Sequence, residues 1–202
     1  EGTAAMNLSY TYDMASIFFD FGNAGTGSVF YWDDVSFLAT NVTPNYMALP
    51  IDFQATGYAY NFINFGGANA TVVNNPDASG INTSTKVGRM VKGAPEVWAG
   101  AFLELVNPIN FSTLRTFKVK VYSPRIGARL LLKVENPASG GTQTFEKEAT
   151  TTTANAWEEL TFDYTNVNLG WSFSRVVLIL DLGNVGDGSP NYTIYFDDIR
   201  LN

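Results

Sequence analysis

Period-two alternation dominates the chain. In "TFKVKVYS", Phe117, Val119 and Val121 alternate with Lys118, Lys120 and Tyr122. In "ARLLLKVE", Leu130, Leu132 and Val134 alternate with Arg129, Leu131, Lys133 and Glu135. Alternation of this kind sends successive side chains to opposite faces, so both segments are predicted as half-buried strands. "RVVLILDLG" is apolar throughout between its Arg and its Asp, as expected of a central strand covered on both sides. "WEELTFDY" and "TIYFDDIRL" read as further strands, and helical periodicity is nearly absent. "NNPDASG", "NPASGG" and "GNVGDGSP" punctuate the strands as polar turns. "SPRIG", with Pro124 and Gly127, reads as a hairpin connection that would put Arg129 and Lys133 opposite Tyr122. Many short strands with polar turns predict an all-β fold, a β-sandwich of the jelly-roll type.

The chain spells one ending twice. "FFDFGNAGTGSVFYWDDVSF" (18–37) and "LILDLGNVGDGSPNYTIYFDDIRL" (178–201) share an order: strand, Asp, Gly-Asn, Gly-x-Gly, aromatic strand, Asp-Asp. Asp20, Gly22, Asn23, Gly25 and Gly27 match Asp181, Gly183, Asn184, Gly186 and Gly188, and Asp33 and Asp34 match Asp197 and Asp198. Residues 1–40 are therefore expected to be the closing strands of a preceding similar module, with 41–50 as a linker broken by Thr, Asn and two prolines. Residues 51–202 then form a complete module of ordinary domain size.

Composition narrows the function. A formal charge of −7 argues against nucleic acid, which requires a basic field. No apolar run approaches membrane-spanning length, so insertion into a bilayer by this segment is not expected. The absence of Cys removes thiolate chemistry, and the absence of His removes the commonest general base and the Ser-His and Cys-His pairs. Glu158 and Glu159 are adjacent, so on a strand they face opposite ways and cannot act as a hydrolytic pair. Catalysis is not expected. Aromatic content of 14% against only 15% charged residues suits a β-rich protein working outside the cell, in an extracellular or cell-surface setting.

Asp197 falls on the same side of its strand as Ile199 and Leu201, which aims a carboxylate at the interior. A buried unpaired carboxylate is costly. Either a cation neutralises it or backbone N–H groups of turns satisfy it. Ca²⁺ suits such a site because it takes carboxylate and carbonyl oxygens together, and Asp52, Asp197 and Asp198 are the candidate ligands, with a structural role. Asp52 joins this set if the first and last strands are neighbours.

"LPIDFQ", "VVNNPDASGINTSTKVGRMVKG", "WAGAFLEL", "FKVKVYSP…LLLKVEN" and "YFDDIRL" together resemble calcium-containing jelly-roll carbohydrate-binding modules. Modules of this kind occur in secreted and surface glycan-utilisation proteins of Bacteroidota, laminarinases among them. The resemblance covers roughly residues 46–202 and implies glycan binding more strongly than any one glycan. Gln54 departs from it, standing where such openings often carry an acid.

The resemblance implies non-catalytic binding of a polysaccharide, a β-glucan such as laminarin favoured, by one module of a multidomain protein with adjacent modules as its neighbours. The alternative is a structural or adhesive repeat with no glycan of its own. Sugar rings stack their C–H faces on exposed aromatics, and the candidates are Trp171, Trp98, Tyr58, Tyr60 and Tyr122. Trp171 sits in a loop beside Gly170, Trp98 opens "WAGAF", and Tyr58 and Tyr60 share a face of "TGYAYNF". Trp157 is expected in the core. Lys118, Lys120, Arg125, Arg129 and Lys133 are expected as a solvated cationic strand face.

Overall fold

A computed structural model of the chain describes residues 16–19, 22–33, 47–56 and 59–202. The chain divides into two compact units, Glu1–Thr40 and Asn41–Asn202. Asp20, Asp34 and Tyr58 lie outside the described residues.

In the first unit no described residue is in a strand, and the Phe19 and Phe30 rings stack with centroids 4.7 Å apart. Gly22 and Gly27 take φ of 94° and 84°, and their counterparts Gly183 and Gly188 take 94° and 75°. The matched glycines share a backbone region that other residues seldom enter.

The described residues of the second unit form a sandwich of ten strands: β1 Ile63–Phe65, β2 Ala68–Asn74, β3 Lys86–Lys92, β4 Gly100–Glu104, β5 Thr116–Tyr122, β6 Arg129–Glu135, β7 Thr144–Thr150, β8 Trp157–Asp163, β9 Arg175–Leu180 and β10 Thr193–Leu201. They form two five-stranded sheets, β1-β4-β9-β6-β7 and β2-β3-β10-β5-β8. Every ladder between these strands is antiparallel, and an isolated parallel bridge joins Met47 to Leu105. Their inner faces meet in one core that includes Met90, Phe196, Phe117, Val119 and Phe162 from the second sheet and Leu103, Leu178, Leu130 and Leu132 from the first. β9 is the middle strand of the first sheet. Its inward Val176, Leu178 and Leu180 join that core, and its outward Val177 and Ile179 join a second, smaller apolar cluster with Leu131.

The packed unit begins within the segment expected as a linker. Met47 pairs with Leu105 and is buried in the core, and Leu49 packs against it. Ile51 exchanges two backbone hydrogen bonds of 3.0 Å with Ile199, so the opening segment lies beside the closing strand.

"SPRIG" is not a hairpin. β5 and β6 belong to opposite sheets, so this loop crosses the sandwich. Turn residues specify a reversal of the chain but not the strand it returns to. The destination is set by Asp181 at the end of β9, whose carboxylate accepts from the Arg129 N–H at 2.9 Å and pairs with Arg125. Arg129 and Lys133 therefore stand on the first sheet and do not face Tyr122.

β10 changes phase part-way. A register shift between Asp197 and Arg200, with Asp198 at φ 50°, marks a bulge. Ile194 and Phe196 before it and Asp197 and Ile199 within and after it are all buried.

Candidate functional site

The outer face of the first sheet gathers three aromatic rings. Phe65 ends β1, Phe102 faces outward from β4, and Trp98, 46% exposed, precedes β4. Phe65 and Trp98 stack with centroids 5.9 Å apart and planes 21° from parallel, and Phe65 and Phe102 lie 6.3 Å apart. Val177, Ile179 and the Lys133 and Glu135 side chains complete a depression of about 330 Å³. Polar groups edge this patch. Arg175 lies over the Phe102 ring at 4.0 Å, donates to Glu104 at 2.9 Å and to Glu135 at 3.1 Å. Lys133 pairs with Glu135 at 2.8 Å. Burial works to raise the Glu135 pKa, but Lys133 and Arg175 outweigh it and hold the carboxyl below its ordinary value.

Several local features hold Trp98 in place. Gly66 and Gly67, both at positive φ, carry the chain from β1 in the first sheet to β2 in the second in two residues. A Cβ on Gly67 would fall 1.9 Å from the Ala94 carbonyl oxygen, so the turn can press against the loop that carries Trp98 only as glycine. Gly100 plays the same part in "WAGAF", because a Cβ there would meet the Leu178 carbonyl oxygen at 2.4 Å and the Phe65 ring at 2.9 Å. Beneath the loop, Lys92 is 0% exposed and its ammonium donates to the carbonyls of Val97, Leu180 and Asp181 at 2.8, 2.7 and 3.0 Å. Burial lowers its pKa, with Asp181 opposing and Arg129 adding to the shift. Three acceptors satisfy all three ammonium protons, and the Trp98 loop is tied to the end of β9.

The second sheet presents a different face. Trp157, Tyr122, Tyr195 and Arg89 stand in register across β8, β5, β10 and β3. Tyr122 lies 5.7 Å from Trp157 and 5.9 Å from Tyr195. Trp157 is 8% exposed, yet it belongs to this outer row and its indole N–H donates to the Asp77 carbonyl at 2.8 Å. The rest of the face is an ion-pair ladder: Lys118 with Glu159 at 2.7 Å, Lys120 with Asp198 at 3.3 Å, and Arg200 with both carboxylates. The expected cationic strip is thus divided between two sheets, and its members are paired with carboxylates.

The five aromatic candidates do not converge. Trp98 lies on the first face and Tyr122 on the second. Trp171 is half-buried and packs edge-on against Phe173 at 6.1 Å. Tyr60 packs edge-on against Phe53 at 4.9 Å, and its hydroxyl accepts from the Ala55 N–H. Tyr58 is outside the described residues. The sequence reading passed over Phe65, Phe102 and Arg175. Alternation within "WAGAF" points Phe102 away from the buried Ala101, but only the pairing of β1 with β4 brings Phe65 to it.

The candidate metal ligands separate as well, and among the described residues no three carboxylates form a group. Asp198 is held by Arg200 and Lys120, and the exposed Asp52 accepts from the Gln54 N–H at 3.1 Å. Gln54 instead bridges the Asp52 and Lys86 carbonyls through its Nε2, at 2.7 Å to each. Asp197 is 0% exposed; its Oδ1 accepts from the Asp198 N–H at 2.8 Å, and its Oδ2 has no partner. Burial raises its pKa, against the lowering influence of Ser84, the Asp198 N–H and Asn82. The Nδ2 of Asn82, in that same neighbourhood, is also buried without a partner. Ser84 and Asn82 lower the Asp197 pKa as side-chain hydrogen-bond donors, and the Asn82 Nδ2 cannot ligate a cation, so a hard ion here would draw on the Asp197 carboxylate and the Ser84 hydroxyl oxygen; the side chains of Asp52 and Asp198 do not belong to that set.

No family model and no curated protein matches the chain. Solved structures do. A family 11 carbohydrate-binding module of a cellulosomal cellulase of Clostridium thermocellum superposes with a TM-score of 0.52 at 12% identity, over 75% of this chain and 91% of that one. A family 28 module specific for non-crystalline cellulose gives 0.53 at 15% identity, over 77% and 93%. A third, from work on the promiscuous specificity of carbohydrate-binding modules of the β-sandwich superfamily, gives 0.51 at 17% identity over 76% of this chain. This chain spans 61% of that one's length. The fold is that of the β-sandwich carbohydrate-binding modules.

Proposed function

We propose that the second unit binds a polysaccharide without catalysis, on the outer face of its first sheet, as part of a secreted or cell-surface multidomain protein. A β-glucan of the laminarin or mixed-linkage type is the favoured ligand. The observation that carries this reading is the exposed Trp98 ring stacked on Phe65, beside Phe102 and a fringe of Lys133, Glu135 and Arg175. Aromatic faces receive the C–H side of a sugar ring, and the charged fringe offers both donors and acceptors to its hydroxyls. Support also comes from a structural neighbour in complex with a β-1,3-1,4-mixed-linked tetrasaccharide, with a TM-score of 0.53 at 9% identity. Calorimetric titration of the wild-type protein with laminarin, mixed-linkage glucan, xylan and mannan tests the reading. Binding to a β-glucan is expected. Failure to bind any of the four would leave a structural repeat in its place.

We also propose that Asp197, with the Ser84 hydroxyl, holds a structural Ca²⁺. When bound, the ion would supply the countercharge to the buried carboxylate and join β10 to the segment preceding β3. Melting the protein with and without a chelator checks this: a drop of several degrees is expected in wild type and none in Asp197→Asn. A wild-type melting temperature unmoved by chelator would remove the ion from the account.

A further inference from the structure

We propose that the outer face of the second sheet carries a separate saccharide site for a uronate unit, with the Arg89 guanidinium receiving the carboxylate between the Tyr122 and Tyr195 rings. The proposal rests on the sugar-binding reading for its ligand class, but not on the first face for its geometry.

The chain has twelve Lys and Arg residues, all within the described part. Every one but Arg89 has a partner there. Lys86 donates to Asn74, Lys92 and Arg115 to backbone carbonyls, and Lys147 stands over the Phe145 ring. The other seven pair with carboxylates. No described residue accepts from the Arg89 guanidinium, and its Nε is buried without a partner. A buried donor left unmade is costly, and a charged one more so. Its neighbours along the sheet make the case sharper, since Lys118, Lys120 and Arg200 are each matched with Glu159 or Asp198.

The surroundings specify what could answer that charge. Arg89 stands opposite Tyr195 and Tyr195 opposite Tyr122, with the two rings 5.9 Å apart and nearly perpendicular. With Val91, Pro124 and Pro190 they line a depression of about 380 Å³, in which Arg89 is the single charged residue. A volume of that order falls within the range of small-ligand sites. The guanidinium fork matches a planar carboxylate through two parallel hydrogen bonds. The Tyr and Pro walls offer apolar surface to a pyranose C–H face. A hexuronate presents both features in one unit, whereas a neutral hexose leaves the charge unanswered.

Calorimetry with oligogalacturonate, a mixed-linkage glucan oligosaccharide and a sulfated galactan oligosaccharide tests the site on wild type, Arg89→Gln and Trp98→Ala. Wild type is expected to bind oligogalacturonate. Arg89→Gln should weaken that binding about tenfold or more, with its melting temperature not lowered and its glucan affinity unchanged. Trp98→Ala should leave oligogalacturonate binding intact. The proposal is overturned by absent binding in wild type, by equal affinity in Arg89→Gln, or by loss in Trp98→Ala. Binding of the sulfated sugar through Arg89 in place of the uronate would overturn it too. Failure of the first-face reading registers separately, in the glucan titrations.

Discussion

On the first sheet Trp98, Phe65 and Phe102 pool into one apolar patch, while on the second Trp157, Tyr122 and Tyr195 run in single file toward Arg89. The patch has its cations neutralised: Arg175 and Lys133 are committed to Glu104 and Glu135. The file ends in a cation that nothing described neutralises. Both faces arise from the same alternation of side chains, so pattern alone does not separate them. The difference lies in partner accounting. A face whose charges are already matched favours a neutral ligand held by ring stacking, and a face with one unmatched charge favours an ionic one.

That contrast can be broken at its foundation. Lys92 lies beneath the loop of the first face, and replacing it with Met would remove the donor shared by the Val97, Leu180 and Asp181 carbonyls, leaving Val97 and Asp181 only the backbone N–H groups of Gly183 and Asn184. Lys92→Met is expected to cost about 3 kcal/mol or more, seen as a large fall in melting temperature. Protein that still folds should lose glucan affinity while keeping the second face. Equal loss on both faces would mean that Lys92 supports the whole sandwich and not one loop.

Trp98→Ala should come next in size. Loss of an exposed stacking ring is expected to reduce glucan affinity by about 2 kcal/mol, near thirtyfold, with little change in melting temperature. Tyr122→Ala should leave glucan affinity within about twofold, since about 0.4 kcal/mol is the most a distant face should contribute. The reverse ranking in titrations of the two variants would exchange the roles of the faces.

The smallest effect concerns the ion-pair ladder. Lys118 and Arg200 hold the Glu159 pKa below its usual 4.5, against a smaller opposing influence of burial. A depressed carboxylate contributes stability that is present above 4.5 and is lost as pH falls through the lowered value. Glu159→Gln should therefore flatten the acid limb of melting temperature against pH, by about 0.5 kcal/mol or less for a half-buried, solvent-screened pair. An unchanged acid limb would show the ladder to be thermodynamically silent.

The strands were legible because alternation is written into each segment by itself. Lys118, Lys120 and Tyr122 do face outward together, and the wholly apolar run around Leu178 is the middle strand of its sheet. Trp98 was legible as a candidate, since a large ring beside "AGAF" has few places to hide. Phe65 was not, because its position depends on pairing with Gly100 some thirty-five residues away. The SPRIG loop misled for the same reason: proline and glycine announce a turn but not the sheet on the far side. The "NPDASGINTS" block contains Asn82 and Ser84, yet nothing in its spacing reveals that they approach Asp197.

The sequence by itself determined the all-β class, the strand faces, the aromatic stock and the lack of His and Cys, because these follow from composition and local period. Only the tertiary structure decided which rings share a patch and which charges go unpaired. Partnership across sheets is set by long-range register and by single atoms such as the Arg89 Nε and the Asp197 Oδ2. No window of neighbouring residues encodes those distances.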